Sequence, residues 1–427
     1  MIRQYSQKEF KDAFIAAKTK KQPFDSDVLQ TVKHILDDIR NRGDEAVKEY
    51  TKKFDGLAAA SLLVSKKERE NAWNDVAPEV ITALKKAADN IRSFHSKQLQ
   101  TSRVMEMTDD IVSGQLFRPL ERVGIYVPGG KASYPSTVLM NAIPAKLAGV
   151  KKVVMTTPAR DGKNIPPVLS VAADIAGVDT IYKIGGSQAI GALAYGTEQI
   201  EAVDKIVGPG NAYVAAAKSL VFGDVGIDMI AGPSEVAIIA DESAHPAYVA
   251  ADLIAQAEHD EKARSFLFCT SKALLAKTLE EVKRQCEELP RKDIAEISLA
   301  NEGAAVLVDT IDEAFSLVNA LAPEHLEIQT KNALHHLSKV KNAGSVFIGH
   351  HTPEAVGDYF AGPNHVLPTV GTARFSSGLS VDDFIKKTTY VYYSENALRQ
   401  AAPYVETLAQ EEELDGHARA VKVRLEQ

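Results

Sequence analysis

The sequence predicts an α/β protein built on parallel sheets, and two observations lead to this prediction. Between residues 122 and 348, short runs of apolar and β-branched residues alternate with longer stretches of helical periodicity. Several of these runs end in glycine-rich turns, such as Gly185-Gly186, as strands that lead into helices commonly do. Strands that alternate with helices form parallel sheets whose two faces are covered by helices.

Size and charge narrow the class of protein. A chain of 427 residues is too long for one ordinary core, so we expect two or three domains. The net charge is −8, without a long basic run, which argues against nucleic acid as the main partner. We find no signal-peptide pattern and no run near the ~20 apolar residues that span a bilayer. The two cysteines, Cys269 and Cys286, have no metal or redox spacing, and together these features predict a cytoplasmic protein.

The segment before the sheets is predicted to be mainly helical from residue 8 to residue 98. Apolar positions such as Val32, Ile35 and Ile39 recur at helical spacing among charged residues. Residues 103–118 alternate enough to suggest a pair of strands.

Two α/β units of similar size follow. Strands of the first are predicted at 123–127, 152–156, 180–184 and 205–207. Strands of the second are predicted at 235–240, 266–269, 304–308 and 345–348, with helices at 246–258, 272–288 and 311–321. From about Val381 the chain is expected to be helical again. The predicted fold is therefore two Rossmann-like α/β domains with parallel sheets, at 121–235 and 236–376. A helical N-terminal region, 1–120, is expected to join the second of these domains, and 377–427 is expected to form a helical C-terminal arm.

Three glycine turns of the first unit are candidate anion sites, because backbone N–H groups converge at helix N-termini. They are Gly129-Gly130, Gly185-Gly186 and Gly208-Pro209-Gly210, and none has the G-x-G-x-x-G spacing of a dinucleotide site. Gln188 and Asn211 follow two of these turns and could hydrogen-bond a ribose or a carboxamide. For Asn211, helix capping is the alternative.

Proton-transfer residues are predicted in two segments of the second half. Glu324-His325 places an acid beside an imidazole that titrates near neutrality, and on a helix the two side chains would diverge by about a quarter turn. The segment 357–368 carries Asp358 and His365. Because it has two glycines and two prolines, we expect neither a regular helix nor a central strand there.

A metal site is predicted around Gln256 and His259, which are three residues apart and share a face of a helix. His259 alone would more often be a surface or capping residue. A second histidine and an acid from elsewhere would favour a metal ligand instead, and Asp358 and His417 are the candidates. Such a mixture of nitrogen and oxygen donors suits zinc. Ser234 lacks the context of a hydrolase nucleophile, so we expect it to contact substrate.

Eight motifs, taken in order, resemble the histidinol dehydrogenase family from about residue 20 to the end. They are the segments at 123–130, 185–190, 207–213, 231–235, 256–260, 321–326, 357–365 and 377–381. The resemblance implies oxidation of L-histidinol to L-histidine through histidinal with two NAD, the last step of histidine biosynthesis. It also implies one Zn²⁺ per subunit and a homodimer whose C-terminal arm completes the partner's site.

Residue roles are carried over by the same resemblance. The implied zinc ligands are Gln256, His259, Asp358 and His417, and the implied acid/base pair is Glu324 and His325. The substrate contacts are Ser234, His365 and Glu412, together with the zinc ligands and His325. The positions at the nucleotide are Tyr126, Gln188 and Asn211. Glu412 and His417 would serve the other subunit, and the spacing to His417 selects Glu412 from three consecutive glutamates.

Two other functions fit part of the pattern. A zinc-dependent amide hydrolase could use the same ligands and a glutamate base to activate water, but it leaves the glycine turns of the first unit unexplained. A non-catalytic metal- or nucleotide-binding module would explain those turns but not Glu324-His325 beside a metal set. A requirement for NAD in turnover separates the three hypotheses.

Overall fold

The computed structural model describes residues 2–16, 24–58, 61–129, 133–159 and 163–426, which form three sheets. The strands are β1 (Arg3–Tyr5), β2 (Arg103–Met107), β3 (Ile111–Pro119), β4 (Arg122–Tyr126), β5 (Lys152–Thr157), β6 (Thr180–Lys183), β7 (Lys205–Val207), β8 (Gly226–Ile227), β9 (Glu235–Ala240), β10 (Arg264–Cys269), β11 (Ala304–Leu307), β12 (His325–Gln329), β13 (Ser345–Ile348) and β14 (Ile385–Tyr393).

The α-helices surround these sheets. They are α1 (Gln7–Phe10), α2 (Ser26–Arg42), α3 (Asp44–Asp55), α4 (Lys66–Asp75), α5 (Pro78–His95), α6 (Pro135–Ala148), α7 (Pro167–Ala176), α8 (Gly186–Tyr195), α9 (Ala212–Val221), α10 (Pro246–Ala257), α11 (Lys272–Cys286), α12 (Lys292–Asn301), α13 (Ile311–Leu321), α14 (Glu354–Tyr359), α15 (Glu395–Glu411) and α16 (Asp415–Lys422). None of the helices in the described ranges is long and apolar enough to cross a membrane.

The first α/β unit is a parallel sheet in the order β6-β5-β4-β7-β8. Side chains alternate between its faces, as a strand requires. Val153 and Met155 pack in the cluster of α6 and α7, which contains Leu139, whereas Val154 packs with Leu193 in the cluster of α8 and α9. Both faces are therefore buried, as the sequence predicts.

The second unit is a parallel sheet in the order β1-β11-β10-β9-β12-β13. Leu267 of β10 packs toward α10 and α11, while Phe266 and Phe268 pack around Phe10 on the opposite face. The predicted strands and helices of this unit are confirmed. The sequence did not predict β1, β12 and α12. These elements are short, or they lie between segments with a clearer pattern of apolar residues.

The third sheet is antiparallel, in the order β14-β3-β2. Its β2–β3 pair confirms the predicted pair of strands. The expectation that the chain is helical again from about Val381 is wrong over β14, and α15 begins only at Glu395. Threonine, tyrosine and valine fill this strand from Thr388 to Tyr393, and β-branched and aromatic residues favour a pleated surface.

The structure gives the conformation of both site segments, and for the second of them the prediction is wrong. His325 opens β12, so the helical case considered for Glu324-His325 does not apply, and Leu326 and Ile328 are buried in a strand between β9 and β13. The segment 357–368 is not free of helix, since Gly357 and Asp358 belong to α14. That helix forms because its turns precede the first glycine-proline pair, Gly362-Pro363.

The N-terminal region contacts both α/β units. Helix α2 packs on α8 and α9, and α4 and α5 pack on α7 and α6, all of the first unit. Strand β1 instead lies at the edge of the second sheet, beside β11. In the C-terminal arm, α15 and α16 pack on each other, and α15 contacts β14.

Candidate active site and metal centre

The candidate site lies at the amino ends of β9 and β12, where the last turn of α10 and the helix α14 approach them. His325 and Glu235 begin neighbouring strands, and Gln256 is the next-to-last residue of α10. Asp358 lies on α14, one turn after that helix begins. Two strand starts, the end of one helix and one short helix therefore bring residues from four parts of the sequence to one place.

The imidazole of His325 is only 4% exposed and is held in one tautomer. Its Nδ1 lies 3.2 Å from the backbone oxygen of Glu235. A carbonyl oxygen only accepts, so Nδ1 carries the proton and Nε2 has the free lone pair. Nε2 has no hydrogen-bond partner in the part of the chain that the structure describes, and it lies 4.0 Å from Asp358 Oδ1. Burial lowers the pKa of His325 to about 4, so the ring is a neutral base near pH 7.

Glu324 lies beside this ring and is also buried. Its Oε2 accepts the N–H of Glu235 at 2.9 Å, and the side chain of Ser234 bonds to the same carboxyl. Burial raises the pKa of Glu324 well above its usual value. A carboxylate whose pKa is raised holds a proton more readily than an exposed one, which suits general acid/base chemistry.

A group of possible metal ligands faces these two residues. One ligand atom each from His259, Glu354 and Asp358 lies within 4.8 Å of the others. Gln256 adjoins the group, because with its amide turned so that the nitrogen faces acceptors, that nitrogen lies 3.1 Å from both carboxyl oxygens of Glu354. Helix α10 ends at Ala257, so His259 lies in the following turn, where its N–H bonds to the carbonyl of Gln256. Imidazole, carboxylate and amide oxygen form a donor set that fits zinc or a similar divalent cation.

Glu354 was missed from the sequence, although one signal was available. It precedes Asp358 by four residues, so both carboxyl groups lie on one face of a short helix. A lone glutamate at a helix N-terminus after Pro353 is ordinary in sequence. Only the structure reveals that it is 4% exposed.

Glu412 and His417 do not join this group within the single chain. Both side chains are exposed on the C-terminal arm, and no hydrogen bond or ion pair among the described residues connects them to it. His365 is closer, because its Nδ1 lies 3.0 Å from the backbone oxygen of Asp358. Its Nε2 lies 3.3 Å from Thr137 Oγ1 on α6, so this ring connects the site to the first α/β unit.

A cavity of about 640 Å³ lies at the carboxyl ends of the first sheet, lined by Tyr126, Gln188 and Asn211 among others. The side-chain amide of Gln188 is buried, and neither of its polar atoms has a partner within the described ranges. Burial raises the pKa of Tyr126 to about 12, and its hydroxyl oxygen accepts the N–H of Gly186 at 3.1 Å. All three positions predicted for the nucleotide therefore face one cavity.

Backbone N–H groups at two of the glycine turns are already hydrogen-bonded within the chain, so these turns are not the open anion sites that the sequence suggests. The N–H of Gly185 donates to Asp55 Oδ2 at 3.1 Å, and that of Gly208 donates to Asp228 Oδ2 at 2.8 Å. Carboxylates of the chain thus occupy these donors. Asn211 caps α9 through its Oδ1, as the alternative interpretation predicts, and Gly130 lies outside the described residues.

Comparison with known proteins places these residues in a family. The family model for histidinol dehydrogenase matches residues 18–425. A histidinol dehydrogenase of Clostridium acetobutylicum is 54% identical over 411 residues, covering 96% of this chain and 95% of that protein. One of Listeria monocytogenes is 50% identical over 400 residues, covering 94% and 93%. The crystal structure of histidinol dehydrogenase from Elizabethkingia anophelis superposes with a TM-score of 0.94 at 41% identity, covering 100% of this chain and 98% of that one.

These matches extend over nearly the whole chain and include both α/β units, the candidate site and the C-terminal arm. Because they identify a family of dehydrogenases, these matches exclude the amide hydrolase and the non-catalytic module as functions of the chain. The chain belongs to the histidinol dehydrogenase family of NAD-dependent oxidoreductases.

Proposed function

We propose that the protein oxidises L-histidinol to L-histidine through histidinal, in a zinc-dependent, four-electron reaction that uses two NAD and ends histidine biosynthesis. One observation carries this proposal. His325 presents a buried Nε2 that has no hydrogen-bond partner among the described residues, at 4.0 Å from the carboxylate of Asp358, which belongs to the group of possible metal ligands. A neutral imidazole fixed in one tautomer is suited to accept the proton that an alcohol loses when it is oxidised.

Zinc would be held by Gln256, His259 and Asp358, with His417 supplied by a second copy of the chain. When bound, zinc would orient the imidazole and amine of the substrate, and NAD would provide the oxidant. Ser234, His365 and Glu412 would contact the substrate as well. The bond from Ser234 to Glu324 and the bond from His365 to the backbone of Asp358 support this grouping for two of the three.

The two oxidations make different demands on the chain. In the first, His325 Nε2 accepts the hydroxyl proton of the alcohol as the aldehyde forms. Water must then add to the aldehyde, and Glu324 accepts a proton from that water. In the second oxidation His325 accepts the hydroxyl proton of the hydrate, and the carboxylic acid results. Positioned general bases of this kind contribute rate factors of about 10² to 10⁴ each.

The nucleotide would occupy the cavity of Tyr126, Gln188 and Asn211. The amide of Gln188 supports this assignment, because a buried amide without a partner is costly unless a ligand satisfies it. The connection from His365 to Thr137 on α6 also supports it, since α6 follows the strand that ends at Tyr126.

A homodimer with exchanged arms would complete the site. Exposed apolar side chains of the arm, such as Tyr404 at 74% and Leu408 at 65%, support a partner interface. We extend the proposal to the division 1–120, 121–235, 236–376 and 377–427 and to a cytoplasmic location, where the buried thiols of Cys269 and Cys286 would stay reduced.

The decisive measurement is the amount of NADH formed per L-histidinol consumed, before and after removal of metal. We expect two NADH per histidinol, loss of turnover with a chelator, and recovery with zinc. One NADH with histidinal released would contradict the second oxidation. Absence of NADH from folded, zinc-loaded protein would contradict the substrate assignment.

A further inference from the structure

One member of the group of possible metal ligands, the buried carboxyl group of Glu354, has no role in the proposed mechanism. Glu354 is 4% exposed, and its Oε1 lies 3.6 Å from Nδ1 of His325. Both of its carboxyl oxygens lie 3.1 Å from the side-chain nitrogen of Gln256. The amide takes this orientation because the reverse would set its oxygen against two carboxyl oxygens and leave its nitrogen facing donors.

We propose, on the basis of the proposed function, that Glu354 is a positioning residue for the metal ligand Gln256. A side-chain amide binds a divalent cation through its oxygen, and its nitrogen can only donate hydrogen bonds. Glu354 accepts from that nitrogen, which leaves the oxygen of Gln256 for zinc and restricts rotation of the amide. Groups that hold metal ligands in this way commonly change metal affinity by about 10- to 100-fold.

The surroundings of Glu354 make it a rigid support. Its backbone N–H donates to Glu327 Oε1 at 3.0 Å, which fixes the start of α14 against β12. The other oxygen of Glu327 accepts from the amide of Gln329 at 2.8 Å, and that amide also donates to Asp252 at 2.7 Å. Asp252 lies on α10, four residues before Gln256. A network of buried hydrogen bonds therefore ties together the three elements that carry the site.

Glu354 also lies within the group that contains His259 and Asp358, so direct ligation is the competing role. Two observations favour positioning. Both oxygens already lie at hydrogen-bonding distance from Gln256, and Glu354 is the most buried of the three, whereas His259 is exposed and Asp358 is partly exposed. The cation would therefore lie on the open side, toward His259 and Asp358.

The test compares zinc affinity, measured by competition with a chromophoric chelator, in wild type and in the variants Glu354→Gln, Glu354→Asp and Glu258→Gln. Glu258→Gln is the matched control, because it removes a carboxylate two residues from Gln256 whose side chain makes no hydrogen bond or ion pair to the described site residues. We expect wild type and the control to bind one zinc per chain equally well. Glu354→Gln should bind zinc about 10- to 100-fold more weakly, and Glu354→Asp should recover part of that loss.

Cobalt substitution separates positioning from ligation. At saturating Co²⁺, the d–d spectrum of Glu354→Gln should match that of wild type, because the ligand set is unchanged. Turnover lost at limiting zinc should return at saturating zinc.

Unchanged zinc affinity in Glu354→Gln would overturn the inference, and so would an altered d–d spectrum at saturation. If wild type itself binds no zinc, the proposed function fails instead. Should Glu354→Gln not fold, unchanged zinc affinity in Glu354→Asp, whose carboxyl group is drawn back by one methylene, would overturn the inference.

Discussion

At the scale of single residues, His325 is the group on which the chemistry depends most. Replacing it with glutamine keeps a polar side chain of similar size but removes the basic Nε2. We expect His325→Gln to lower kcat by about 10²- to 10⁴-fold, because one positioned base is lost. NADH formation at saturating L-histidinol measures the effect. His335→Gln, at an exposed histidine, is the control and should leave kcat unchanged. A His325→Gln variant with wild-type kcat would refute the assigned base.

The same ring should make the stability of the metal-free protein depend on pH. Its pKa in the folded protein, about 4, lies below the usual value of 6.5 because the ring is buried. The contribution of a neutral buried imidazole is therefore fully present above pH 6.5 and is lost as pH falls toward 4. At 1.36 kcal/mol per pKa unit, the loss approaches about 3 kcal/mol. Urea unfolding at pH 7 and pH 4.5 should show a smaller decrease for His325→Gln than for wild type, and equal decreases would contradict the shift.

Single residues also mark what the sequence could not reveal. The types and spacing of Gln256 and His259 predict a metal site to which Asp358 contributes, and the structure brings His259 and Asp358 close together. Glu354 was not predictable, because its importance comes from burial, and burial depends on the packing of α14 against β12. Asp55 and Asp228 were missed for a related reason, since each bonds to a glycine turn far away in sequence.

At the scale of elements, the turn between β7 and α9 is held by a buried ion pair. Lys218 of α9 pairs with Asp228, and its Nζ also donates to the carbonyl of Gly208 at 2.9 Å. Lys218→Met would leave the Asp228 charge buried and unpaired, which costs about 3–5 kcal/mol. Urea unfolding should report this loss, and NAD should bind more weakly because Asn211 follows the same turn.

The control for this prediction is the surface pair of Lys151 and Glu121, which lies at 3.8 Å with both side chains mostly exposed. Lys151→Met should change the free energy of unfolding little, because exposed ion pairs are weak and screened. Similar effects of the two lysine substitutions would show that burial does not strengthen the Lys218 pair.

Elements differed in how well the sequence predicted them. Strands such as β4 and β9 are apolar runs closed by clear turns, so their positions were predictable. Strand β12 lies between Pro323 and a 3-10 segment (Ala333–Lys339), and it contains the charged Glu327. Its strand character depends on pairing with β9 and β13, which no local pattern encodes.

At the scale of the whole molecule, the arm can be tested by mixing inactive variants. His259→Ala lacks a proposed zinc ligand of the chain body, and His417→Ala lacks the proposed ligand of the arm. If arms are exchanged, a mixed dimer holds one intact site, so an equal mixture should recover about a quarter of the wild-type sites. NADH formation after dissociation and reassociation measures the recovery.

The control for this mixing experiment pairs His259→Ala with Asp358→Ala. Both residues belong to the chain body, so each site of their mixed dimer lacks one ligand and activity should not return. If hybrids of the first pair form, as tagged chains can verify, and still lack activity, the arm serves its own subunit.

The edge strand β1 has a consequence for how this chain is made. Among the described residues, residues 3–5 pair with β11, about 300 residues later, so β1 is synthesised long before the strand beside which it lies. The first α/β unit can form its sheet before β11 has been synthesised, while β1 is still unpaired. A bulky group attached beside β1 would therefore have to be carried to the second sheet after β11 has been made, and it would slow maturation more than the same group attached beside α16.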